Sequence, residues 1–127
     1  MRDRPSAAEL LEIARRTLLD ELLAALPEDR RYDALMVASA MATAKRELEA
    51  GLGALETERA ALAALYDEPA DPAEPLDAAL ARLNRRFAAD LRAGAFDGEG
   101  PRARAAGAVL RQQTHSKLLE NNPKYPR

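Results

Sequence analysis

Residues 34 to 44 read ALMVASAMATA, eleven positions without a single charge. The run is too short to cross a membrane, which takes roughly 18 or more apolar residues. It is also too poor in β-branched and aromatic side chains for a strand. Alanine and methionine favour a helix, and the small side chains suit close packing on neighbours. The run is therefore expected at the middle of a long second helix surrounded by others, in an all-α, compact bundle of four to five helices. Pro27-Glu28-Asp29 marks the start of that helix, with acids at the positive end of its dipole. Arg46 and Glu47 continue the line of Tyr32, Met36, Ser39 and Thr43. A charged pair on that line either reaches solvent at the end of the core or forms a buried polar contact. Gly51 and Gly53 come next, each costing about 1 kcal/mol inside a helix. The pattern then resumes to Tyr66, which predicts one long helix with a weak point.

Upstream, Ser6-Ala-Ala-Glu9 is a capping box. It predicts a first helix up to Leu26, ended by Pro27. Leu11, Leu18 and Leu22 share one face, while Leu19, Leu23 and Leu26 lie on a neighbouring one. That apolar arc is wider than a single stripe, and its second face is a candidate partner surface. Downstream, DEPADPAEP (67–75) is a linker. Leu76, Leu80, Leu83, Phe87 and Leu91 then form a narrow stripe ended by Gly94, a suitable C-terminal cap. The loop of about 94–101 lets Phe96 tuck back under the bundle. Pro101 opens a last helix that runs to about Asn121. Its pattern is mixed, because Gln113 and Ser116 share the face of Val109. Asn122-Pro123 forces an extended tail, 122–127, in which Tyr125 either anchors a partner or folds back. The whole, residues 1–127, reads as one domain.

Chemistry is sparse in this pattern. With 19 basic and 21 acidic residues, the chain lacks the basic excess of a nucleic-acid binder. It has no cysteine, which excludes disulfides, thiolate metal sites and thiol nucleophiles. The lone His115 has no second histidine for a metal, and no carboxylate pair is spaced for acid–base work. No catalytic, cofactor or metal residues are assigned. No membrane partner is expected, since neither a signal peptide nor a spanning segment is present, and the expected location is the cytoplasm. Asn84-Arg85-Arg86 stands out, because guanidinium forks suit carboxylates and phosphates. The competing reading is a solvated face with local ion pairs.

Three segments together resemble a known family: RPSAAELLEIARRTLLDELLAALPEDRRYDALMVASAMATAKRELE (4–49), LNRRFAADLRAGAFD (83–97) and KLLENNPKY (117–125). They are similar to small, mostly uncharacterised bacterial all-helical proteins encoded beside aminoglycoside-phosphotransferase-like kinases and acyl-CoA dehydrogenases. The resemblance implies a non-catalytic accessory subunit for a kinase that phosphorylates 4-hydroxyacyl-CoA. It carries over no catalytic residue. The matching positions of interest are Arg4, Pro5, Arg46, Glu47, Asn84, Arg85, Asn122, Pro123 and Tyr125. A helical module binding an acyl-CoA or other phosphorylated metabolite through the arginines of the third main helix stays open, as does a homo-oligomeric bundle.

Overall fold

A computed structural model describes residues 4–125. It holds five α-helices and, among the described residues, no strand. The helices are α1 (Ala7–Thr17), α2 (Glu28–Ala50), α3 (Gly53–Leu65), α4 (Leu76–Arg92) and α5 (Pro101–Asn121). They fall into two compact units, Met1–Gly51 and Leu52–Arg127.

In the first unit, α1 opens on the expected capping box. Glu9 N–H donates to Ser6 Oγ at 3.3 Å, and Ser6 N–H donates to Glu9 Oε2 at 2.7 Å. The helix does not run regularly to Leu26. It widens into a π turn over Leu18–Leu22 and tightens to a 3-10 turn over Leu23–Ala25. Leu26 is then extended (φ −78°, ψ 147°), as a residue before proline must be. A π turn inserts a residue and rotates the helix beyond it. The two leucine faces consequently share partial burial: Leu18, Leu19, Leu23 and Leu26 are half-buried, and Leu22 is exposed.

The helix α2 begins at Glu28 as expected, packs along α1, and stops at Gly51. It does not continue into α3. Gly51 has φ 63° and ψ −153°, a conformation essentially restricted to glycine, so the chain turns where propensity alone predicts a weak point. Nor is α2 a surrounded, central helix. Only Ala34 and Ala38 are buried, while Tyr32 is 70% and Met36 53% exposed, and Leu35 and Val37 are exposed as well. The alanine side faces α1, and the charge-free run is apolar on its open side too.

The second unit has a core of Leu62, Leu80, Leu83, Phe87, Phe96, Ala106 and Val109. The leucine stripe of α4 faces it as predicted. The turns after α3 and α4 are built by the same device. After α4, Gly94 (φ 76°) takes the left-handed position, and Gly94 and Ala95 donate their N–H groups back to Leu91 and Asp90 carbonyls at 3.2 and 2.9 Å. This Schellman closure sends Phe96 into the core, edge-on to Phe87 at 5.5 Å and to Tyr66 at 6.4 Å. After α3 the left-handed residue is Asp67 (φ 51°), with Asp67 and Glu68 donating to Ala64 and Ala63. The 67–75 linker is thereby started inside the unit and stays against it.

Candidate interaction surfaces

Asn84, Arg85 and Arg86 do not form one site. Neighbours on a helix are set about 100° apart, and these three side chains diverge accordingly. Asn84 turns toward α3 and α5: its Nδ2 donates to Glu58 Oε1 at 2.8 Å, and its Oδ1 accepts from Gln113 Nε2 at 2.7 Å. Gln113 Nε2 also lies 3.0 Å from Glu58 Oε1. This half-buried triad ties three helices with one carboxylate and two amides. It explains why a glutamine sits on the Val109 face of α5, where the periodicity leads one to expect an apolar residue. Arg85 is exposed. Arg86 lies 3.9 Å over the Tyr66 ring and pairs with Glu68 at 3.7 Å and Asp90 at 4.0 Å.

Two residues not assigned from the sequence, Arg82 and Tyr66, organise this side of α4. Arg82 Nε and Nη2 grip Glu74 at 2.9 Å each, and Nη2 also reaches Glu68 at 2.5 Å. One guanidinium thus pins both ends of the acidic linker, which becomes a strap on α4. The Arg82 hydrogen bonds hold the Glu74 carboxyl below its usual range.

Tyr66 donates its hydroxyl to Asp90 Oδ2 at 2.8 Å. Burial first, and then the Asp90 hydrogen bond, push its phenol up from 10.0 to about 12. The raised value means the contact is fully in place below pH 10 and is lost as pH rises through about 12. Titrating phenolate absorbance for the wild type and Tyr66→Phe should give a difference trace centred well above 10. A difference centred at 10 would mean that Tyr66 is open to water.

The sharper reading of Arg46 and Glu47, a buried polar pair, is not met. Arg46 is half-buried and donates Nη2 to Thr43 Oγ1 at 3.1 Å, and Glu47 is exposed. Of the stripe they continue, Tyr32 and Met36 are exposed, while Ser39 and Arg46 border the α1 side. Leu19 lines a shallow groove of about 260 Å³ between α1 and α2, with Arg15, Leu35, Ala38, Ser39, Ala42 and Arg46. The tail is not extended as expected. Asn122 caps α5, and Tyr125 donates its N–H to the Asn122 carbonyl at 3.0 Å, closing a turn with Pro123 inside it. The Tyr125 ring is 56% exposed. Pro126 and Arg127 of the tail lie outside the described residues.

Among the described residues no group of His, Asp and Glu side chains is placed to hold a metal ion, and no helix is long and apolar enough to cross a membrane. The geometry defines an all-α protein whose most distinctive surfaces are apolar helix faces and arginine-centred polar contacts. The chain belongs to the DUF6285 family, a domain of unknown function, whose model matches residues 24–125. The match takes in all of α2 to α5 and begins after Leu23, so Leu19 and Leu23 precede it. No curated protein and no solved structure matches the chain.

Proposed function

We propose that this protein is a non-catalytic accessory subunit that binds a partner protein through the open faces of its α1–α2 unit. The observation that carries this reading is the packing of that unit. Among its described residues only Ala34 and Ala38 are buried, whereas Leu10, Ile13, Leu22, Tyr32, Leu35, Met36, Val37 and Leu48 are exposed. Helices of this kind draw most of their stability from burying an apolar face, and contiguous exposed apolar surface marks interaction sites. The resemblance supplies the partner class, an aminoglycoside-phosphotransferase-like kinase acting on hydroxyacyl-CoA substrates in hydroxy-acid catabolism. The kinase would provide the nucleotide site and the chemistry. The exposed ring of Tyr125 is a second, smaller contact in this scheme.

The metabolite-binding reading ranks lower. Two of its arginines on α4 are engaged within the unit, Arg82 by Glu68 and Glu74 and Arg86 by Glu68, Asp90 and the Tyr66 ring, while Arg85 is exposed.

Co-expression with a kinase of the aminoglycoside-phosphotransferase type that the resemblance implies, with the tag on this chain alone, tests the proposal. The kinase should co-purify. A charge placed in the open α2 face, Met36→Glu, should reduce its recovery by about tenfold or more, the scale of an interface hot spot, with the helical circular dichroism unchanged. Recovery of this chain alone, or undiminished recovery with Met36→Glu, counts against it.

A further inference from the structure

The groove between α1 and α2 is chemically polarised along its length. The Glu12–Lys45 contact at 3.2 Å places the N-terminal half of α1 beside the C-terminal half of α2. Leu19, Leu35 and Ala38 therefore floor one end of the groove, and Arg15 and Arg46 flank the other. Arg15 also belongs to a cluster of cations next to the groove. Arg15, Arg16 and Lys45 converge on the single carboxylate of Glu12, at 3.6, 3.0 and 3.2 Å. Lys45 also reaches Glu49, at 3.8 Å. Three cations thus share two carboxylates among the described residues, and the Arg46 guanidinium lies on the same rim. Lys45, and after it Arg16, hold the Glu12 carboxyl below its usual range, and so this acid stays ionised and saturated by its neighbours.

We infer that this groove receives an acidic amphipathic segment of the partner protein. An aliphatic side chain of that segment would seat over Leu19 and Ala38, and a carboxylate would meet Arg15 on the rim beside Arg46. Four residues separate Arg15 from Leu19, roughly 6 Å along a helix at 1.5 Å per residue. The segment thus carries its aliphatic and acidic residues about one helical turn apart. Guanidinium forks suit a carboxylate because they offer paired, planar donors. Apolar seating supplies affinity, and the charges set orientation and on-rate. This inference rests on the accessory-subunit reading and specifies the chemistry that the partner presents.

The test is titration of the purified kinase with the full chain at low and high salt. The expected result is binding that weakens about tenfold or more as salt rises from roughly 0.05 to 0.5 M, since partly exposed charges are screened over this range. Arg15→Glu should weaken binding about tenfold and flatten the salt dependence, whereas Arg15→Lys keeps most of it. Arg15→Gln, milder toward the hairpin, should fall between them. The salt series on the wild-type chain needs no substitution and guards against a misfolded variant. If the kinase binds with an affinity indifferent to salt and to Arg15, the groove inference falls and the accessory-subunit reading stands. If the wild-type chain does not bind the kinase, both fall.

Discussion

Phe87→Ala is expected to remove a large part of the stability of the Leu52–Arg127 unit. Phe87 is 2% exposed and lies at the junction of the α4 stripe with Phe96. Truncating a buried phenylalanine to alanine costs about 3–5 kcal/mol, from lost transfer energy and the cavity left behind. A unit of this length holds roughly 4–11 kcal/mol in total, at the usual 0.05–0.15 kcal/mol per residue. The loss is amplified because the Phe96 ring would lose the nearer of its two edge-on partners, leaving Tyr66 alone. Denaturant unfolding followed by circular dichroism reads it directly. A loss below about 1 kcal/mol would show that the core collapses around the gap, and that Phe96 is not held by Phe87.

Gly51→Ala should be the next most damaging change, at about 1–3 kcal/mol, the scale of a side chain forced into a glycine-only region of backbone space. A Cβ at this position meets nothing within 4 Å. The cost is therefore backbone strain alone, without a steric clash. The expected result is a lower unfolding midpoint with little change in helical signal. A rise in helical signal at an unchanged midpoint would mean instead that α2 runs on into α3, the arrangement the sequence pattern by itself suggests.

That alternative shows where local reading stops. The two glycines at 51 and 53 lower helix propensity by similar amounts, and propensity does not distinguish a strained straight helix from a turn. The distinction lies in the φ of Gly51, 63°, which propensity does not encode. The charge-free run of α2 poses the same difficulty. Alanine, leucine, methionine and valine in sequence look alike whether a helix is enclosed or presents one side outward. Only the observation that the alanine face takes the α1 contact shows Tyr32 and Met36 to be open. The candidate surface was partly legible: Leu19 and Arg46 stood out by pattern, and both line the groove. Arg15 did not, because an arginine on a charged helix face carries no periodic signal. The Asn84–Glu58–Gln113 triad was signalled only by the polar residue at 113 on an apolar face, since its members are 26 to 55 positions apart.

What the sequence determined by itself is the set of helices and most of their ends. Capping boxes, prolines before a first turn and a glycine after a last one act over four or five residues, and the Leu76–Leu91 stripe selects its buried face through a period set by backbone geometry. Tertiary structure decided which apolar faces are covered and which arginines are engaged. Each of these depends on residues distant in sequence meeting in space, and burial and ion pairing act between side chains irrespective of their separation along the chain.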